Sequence, residues 1–298
     1  MESLLRRISE LHSATGVVKN LIELMQDDDF SIADVTQCLE REPALSARVL
    51  ASVNSASSGV AHRVSSVQQA VALLGRRKLR TVVLAFSVVE RLTRGLDSYF
   101  YFDYWKRSLT TSIVADLLAS KAKIDSNDAF TAGLLLDIGV LVLTQFEAEK
   151  YIPIFEEHEH GTALVAAERE AFGFDHAELS ARVLEVWNLP PELSMAVACH
   201  HDKEEAVLND FSRALHAANL LPAAIWIADS ATFREAYETF NTFYDFSVDS
   251  FIELAIDVNR LVEEEAVAFG IEGVRSANCD ELKQEAERLL ATDTVRED

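Results

Sequence analysis

The sequence is poor in the residues that break regular structure. Ten glycines and five prolines in 298 residues are too few turn formers for a β-rich or disordered chain. No alternation of strand and helix patterns marks a Rossmann or receiver domain. Cysteine is scarce as well. Cys38, Cys199 and Cys279 are odd in number, far apart and without a CxxC pair, which excludes a disulfide framework or zinc ribbon and fits reduced thiols in a cytosol. Positive charge is the third deficit: 27 Lys and Arg stand against 49 Asp and Glu, a net charge of −22. The mean surface field therefore repels phosphate backbones and anionic headgroups, and neither nucleic acid nor membrane is expected as a partner. The cluster Arg76, Arg77, Lys78 and Arg80 after Gly75 reads as a solvated helix start. The first residues, Met1-Glu2-Ser3-Leu4-Leu5-Arg6-Arg7, hold no leader core, and the longest apolar stretch, Ala132 to Leu143, contains Asp137 and is too short to span a bilayer. A cytoplasmic location is expected. GxSxG, P-loop, HExxH and GxGxxG patterns are all missing.

What is present is helical periodicity, in a chain that is 49% hydrophobic and so able to bury a sizeable core. Val17, Val18, Leu21, Ile22, Leu24 and Met25 follow the i, i+3, i+4, i+7 pattern, and Asp27-Asp28-Asp29 reads as the solvated loop that ends it. Ser31, with Asp34 three positions on, starts the next helix. Pro43 opens another through Val53, which stops at Asn54-Ser55 and the small polar residues after it, a pair suited to a turn. Ser66 caps a helix that Gly75 ends, and Arg77 to Leu92 forms a further one. Periodicity lapses at Gly95-Leu96-Asp97-Ser98, before the aromatic patch Tyr99, Phe100, Tyr101, Phe102, Tyr104 and Trp105. This marks a boundary between an N-terminal lobe, residues 1–98, and a second unit, residues 99–298, with the aromatics packed between them. Helices are expected at 105–122, 126–146, 163–172, 176–187, 191–201, 213–229 and 248–269, with Pro190-Pro191 as a break. The predicted fold is all-α, a two-lobed helical bundle.

Five of the eight histidines lie between His158 and His201, and Asp137 and Asp229 sit in otherwise apolar helices. Converging imidazoles and carboxylates are what a dinuclear phosphohydrolase needs to acidify bridging water and polarise phosphoryl oxygens, and His176, His200 and His201 are candidates for it. The same residues also suit plain structure. Asp175 is a natural cap ahead of a surface His176, and His200-His201 suits a helix C-terminus. On a helix, adjacent histidines project about 100° apart, which makes a shared metal awkward. His158 and His160 read as loop residues, and Cys199 as a half-buried thiol.

Three stretches carry a family resemblance. Glu42-Pro43-Ala44-Leu45-Ser46-Ala47-Arg48-Val49-Leu50, Val53-Asn54-Ser55-Ala56, Ser66-Val67-Gln68-Gln69-Ala70 and Leu73-Leu74-Gly75 resemble the amino-terminal half of the HDOD family. The run from Ala129 through Leu136-Asp137-Ile138-Gly139 resembles its central motif. The segment from Glu168 through Gly173-Phe174-Asp175-His176-Ala177-Glu178, with Trp187-Asn188-Leu189-Pro190 and His200-His201, is similar to its later motif. The resemblance implies an HD-like helical lobe with a C-terminal helical extension in residues 99–298, the N-terminal helical lobe packed on it, and an output role in bacterial signalling. The related HD phosphohydrolases would ligate metal with a histidine, a His-Asp pair, later histidines and a final aspartate. On that pattern Arg107 replaces the first histidine and Leu136 the histidine of the pair, while Asp137, His176, His200, His201 and Asp229 match the remaining ligands. A guanidinium repels a cation and leucine offers no lone pair. A buried Asp137 then needs another partner, and Arg107 is expected to stand in for the metal and lock two helices together.

The expectation is a non-catalytic signal-transduction output module acting through protein–protein interaction. Its partners would be signalling proteins the sequence does not identify, with a homo-oligomer also compatible. No cofactor is expected, although the remnant ligands leave room for a single divalent metal. The alternatives are a metal-dependent phosphohydrolase or cyclic-nucleotide phosphodiesterase with a reduced ligand set, and a nucleotide-sensing domain.

Overall fold

A computed structural model of the chain describes residues 1–12, 21, 24–25, 30–54, 63–122, 124, 126–158, 160–187, 189–206, 209–227, 230–268, 271, 273–274, 277 and 284. Among them every regular element is a helix. The N-terminal part comprises α1 (Glu2–His12), α2 (Ile32–Leu39), α3 (Pro43–Asn54) and α4 (Val67–Thr93). The hydroxyls of Ser31 and Ser66 accept from the amides of Asp34 and Gln69, capping α2 and α4 as their positions suggest. Gly75, at φ 69°, interrupts α4, so two helical segments abut where the sequence places a stop. Asn54 ends α3 by clasping Val64, accepting from its amide at 2.7 Å and donating to its carbonyl at 2.8 Å. Arg76 is more than a solvated cation, because its Nε donates to the Phe30 carbonyl at 2.9 Å and its guanidinium lies over the Phe30 ring. Ser55, Asp27-Asp28-Asp29 and most of the helix expected over residues 17–25 lie outside the described residues.

Helix α5 (Ser98–Ala122) begins seven residues before the expected start and absorbs the aromatic patch into its first two turns. Phe100, Tyr104 and Trp105 are buried. Trp105 stacks on Phe86 of α4, ring centroids 6.3 Å apart, and Phe100 meets Phe155 at 5.3 Å. From Tyr104 to Ala119 the helix is enclosed nearly all round, so its hydroxyls turn to their own backbone: Thr110 donates to the Lys106 carbonyl and Ser112 to that of Ser108. Tyr104 donates to the Leu134 carbonyl at 2.8 Å. The flanking helices are α6 (Ser126–Leu135), α13 (Asp210–Trp226) and α15 (Val248–Ala268). A Cβ at Gly133 of α6 would stand 2.7 Å from the Ser112 Cα, so only glycine permits this approach of two backbones.

The single helix expected over 126–146 is two. Helix α6 stops at Leu135 and α7 (Ile138–Phe146) follows a turn in which Asp137 takes φ −100°, ψ 23°. The turn aims the Asp137 carboxylate at histidines of later helices. Asp128–Phe146 is long and apolar enough to cross a membrane by length and composition, yet 83% of the relevant window is buried inside the fold. The chain continues through α8 (Ala148–His158), α9 (Thr162–Phe172), α10 (His176–Val186), α11 (Pro191–Ala198), α12 (Lys203–Ala206) and α14 (Ser230–Tyr244). Neither α8 nor α14 was expected, although Tyr151 with Phe155, and Phe233 with Ala236 and Phe240, bury one face of each at helical spacing.

Asp116 of α5 is buried, and that burial, with Glu265 of α15 nearby, pushes its carboxyl up from 3.8 to about 7. A value raised on folding means that the folded chain binds more protons than the unfolded one. Its contribution to stability is therefore present in full below about pH 4 and is lost as pH rises through about 7. Thermal melts across that window are expected to show a smaller fall in Tm for Asp116→Asn than for the wild type, and parallel profiles would contradict this.

Candidate metal centre

Four side chains from two stretches of turn and one helix start converge beneath α5. Asp137 comes from the break between α6 and α7, His176 from the first residue of α10, and His200 and His201 from the turn after α11. One ligand atom from each lies within 4.8 Å of all the others. Asp137 Oδ1 is 3.4 Å from His200 Nε2 and 3.6 Å from His176 Nε2, and His176 Nε2 is 2.8 Å from His201 Nε2. On the other carboxylate oxygen, Asp137 Oδ2, sits Arg107 Nε at 3.5 Å. Arg107, Asp137, His176 and His200 are buried. His201 is half-buried and lines a surface cleft of about 900 Å³ bordered by Arg169, Asp175, Met195 and Cys199.

Outer partners fix the rings. Glu168 of α9 is fully buried and accepts three bonds, from the Tyr151 hydroxyl at 2.7 Å, the His176 amide at 2.8 Å and His176 Nδ1 at 2.7 Å. His200 Nδ1 donates to the Val197 carbonyl at 2.7 Å, because a carbonyl can only accept, and this turns the Nε2 edge of the ring toward Asp137. This is how second-shell carboxylates and carbonyls set ligating histidines. Asp137 Oδ1, His200 Nε2 and Arg107 Nε make no hydrogen bond among the described residues. Two of these orphaned atoms, Asp137 Oδ1 and His200 Nε2, are buried ligand atoms, and with the nearby imidazoles of His176 and His201 they fit a single divalent cation.

Burial and neighbouring charges pull in opposite directions at this site. Burial raises the Asp137 pKa, but His200, Arg107 and His176 outweigh it and hold the carboxyl well below the usual carboxylate range. Burial lowers His176, yet Glu168 and Asp137 bring it above an ordinary imidazole, while burial and the two neighbouring imidazoles push His201 well down. Between these two rings the proton therefore resides on His176. One turn before Arg107, Asp103 lies 3.1 Å from His160, and that imidazole holds the Asp103 carboxyl down against its burial.

Most of the residues singled out in the sequence meet here: Arg107, Asp137, His176, His200 and His201, with Leu136 buried at the turn. Asp229 lies outside the described residues. Three expectations need correction. His200 and His201 are not on a helix, because α11 ends at Ala198 and the residues after it turn; the turn frees both rings to face one point. His176 is buried rather than on the surface, although Asp175 does cap its helix by accepting from the Glu178 amide. His160 is more than a loop residue, since it pairs with Asp103. Sequence reasoning passed over Glu168, Tyr151 and Asp103. Glu168 stood inside the motif already quoted, and a glutamate eight residues before a candidate ligand was the available signal.

An all-helical fold that gathers an aspartate from an interhelical turn with later histidines belongs to the class of HD-type helical domains. The profile of the HDOD domain matches residues 11–203, and the chain belongs to the HDOD family. An uncharacterised protein of Treponema pallidum (strain Nichols) is 24% identical over 208 residues, 68% of this chain and 40% of its own length, so the chain spans well under half of that relative. Three solved structures share the fold. A Shewanella amazonensis SB2B protein assigned provisionally as a phosphohydrolase aligns with TM-score 0.59 and 23% identity over 96% of this chain and 93% of its own. An HDOD domain protein of unknown function from Geobacter sulfurreducens aligns with TM-score 0.53 and 20% identity over 87% and 98%. A Marinobacter aquaeolei VT8 protein assigned provisionally to signal transduction aligns with TM-score 0.54 and 19% identity over 95% and 64%. At these identities the likeness is one of fold.

Two substitutions test the support of the cluster. A Cβ at Gly139 would run into the backbone of His176, so Gly139→Ala is expected to cost about 2–3 kcal/mol by denaturant unfolding. A loss under half a kcal/mol would show that α7 and α10 can separate freely. Glu168→Gln can still accept from His176 with its carbonyl oxygen, but it removes the carboxylate charge from that ring and sets its amide N–H against the Tyr151 hydroxyl; it is expected to cost about 2 kcal/mol or more, clearly exceeding the roughly 1 kcal/mol of Tyr151→Phe, and the reverse ranking would remove Glu168 from its supporting role.

Proposed function

We propose that this chain is a non-catalytic output module of bacterial signal transduction that works by binding other proteins. The observation that carries the reading is the fate of two ligand positions. The Arg107 guanidinium lies against Asp137 Oδ2, and Leu136 fills the position before Asp137 with a buried hydrocarbon. The described donors then surround one point, enough for one ion, while bridging-water phosphoryl chemistry draws on two. Membership of the HDOD family fits a regulatory role. The net charge of −22 would steer partners with basic surfaces, and the free thiols of Cys38 and Cys199 agree with a reducing, cytoplasmic setting.

One observation favours a second reading, a metal-dependent phosphohydrolase with a reduced ligand set. Asp137, His176, His200 and His201 would hold a single divalent ion, which when bound supplies a Lewis acid and an acidified water. On this reading Glu168 keeps the His176 ring in its ligating orientation, and the cleft beside His201 admits the substrate.

Protein purified without an affinity tag and supplied with manganese, iron or zinc is expected to show no turnover of phosphomonoesters, cyclic nucleotides or cyclic dinucleotides. Turnover that disappears in His176→Ala would replace the first reading with the second. Proximity labelling from the chain in its host is expected to mark a defined set of signalling proteins, and a pattern equal to that of the free labelling enzyme would sink the partner half of the reading.

A further inference from the structure

We propose that Arg107 is a resident cation that keeps the remnant site in a low-affinity state for transition metals. Asp137, His176, His200 and His201 would then bind one zinc-like ion tightly only once the guanidinium charge is removed. The inference rests on the reading of Arg107 given above, but it concerns affinity rather than turnover and can fail independently.

The donor set is that of a zinc-type site, three imidazole nitrogens and one carboxylate oxygen. The contacts of Asp137 Oδ1 with His200 and His176, 3.4 and 3.6 Å, are close to the edges of a tetrahedron with bonds of roughly 2.0–2.1 Å. The 2.8 Å contact between His176 and His201 is about half an ångström shorter than such an edge, and all four ligand atoms lie within 4.8 Å of one another, so small ring movements would bring them to one ion. Arg107 reaches the same carboxylate from the opposite oxygen. Its side chain is 8% exposed, so solvent screens it little, and a guanidinium cannot shed its proton to relieve the repulsion. A fixed +1 charge within several ångströms of a +2 ion, partly offset by the pairing it gives Asp137, is expected to weaken binding on the order of 100-fold. Asp103, one turn earlier on α5 and already held by His160, offers the guanidinium a second carboxylate.

Zinc and cobalt titrations of the tag-free full chain, read by calorimetry and by the visible d–d bands of tetrahedral cobalt, test this. The variants are Arg107→Gln, Arg107→Lys, and Arg107→Gln combined with His176→Ala. Wild type and Arg107→Lys are expected to bind weakly, Arg107→Gln about 100-fold more tightly at one ion per chain, and the double variant no better than wild type. Equal affinity of wild type and Arg107→Gln overturns the proposal, as does equal tightening by Arg107→Lys or a tight site that survives His176→Ala. Should Arg107→Gln fail to fold, Arg107→Met is tested by thermal melting: a larger zinc-induced rise in Tm than the wild type supports the proposal, and an equal or smaller rise overturns it. Tight wild-type binding without turnover would defeat this inference and leave the non-catalytic reading standing, whereas wild-type turnover would defeat that reading.

Discussion

A carboxylate carried into a helical core has to be met by positive charge or by donors, and Asp137 is the residue around which this fold satisfies that requirement. Its position in the turn between α6 and α7, rather than within one long helix, lets both oxygens find partners. One faces His176 and His200, the other Arg107. The elements that bring these partners in, α5, α10 and the turn after α11, are thereby pinned to a common point. Glu168 repeats the arrangement one layer out, joining α8, α9 and α10 through a single buried carboxyl with three donors. Both buried carboxyls thus find their partners within the fold.

The parts of the fold governed by local chemistry were legible in the sequence. Ser31, Ser66 and Asp175 cap helices because a short oxygen-bearing side chain can reach an amide two or three residues on, and Gly75 tolerates a left-handed backbone. The break at Leu136-Asp137 was not legible, since apolar residues continue on both sides and nothing nearby in the chain competes with the helix. Its partners lie 30 residues before Asp137, at Arg107, and 39 and 63 after it, at His176 and His200. The turn at His200 was hidden in the same way. Reading His200 and His201 as helical set their rings apart, whereas the backbone after Ala198 brings both to one side. Glu168 looked no different from Glu170 two positions later, yet one is fully buried and the other exposed, a distinction that only the packing of α8 and α9 creates.

Fold alone does not fix function. The helical architecture is shared with proteins of different assignment, but what a site on it can do depends on individual side chains. At Arg107 the enclosed space holds a guanidinium, a hydrogen-bond donor that stays positive but cannot ligate a metal. The outer support from Glu168 and Tyr151 is a matter of packing and holds the ring of His176 whatever chemistry the pocket performs.

The bond from His200 Nδ1 to the Val197 carbonyl has a further consequence. Val197 is the penultimate residue of α11, where carbonyls lack an intrahelical partner, so the imidazole serves as the C-terminal cap of that helix. Fraying of the last turn of α11 and release of His200 from the cluster are then a single event. Amide exchange along that turn would follow the occupancy of the pocket, and the slow breathing of an otherwise ordinary surface helix would report on the state of its interior.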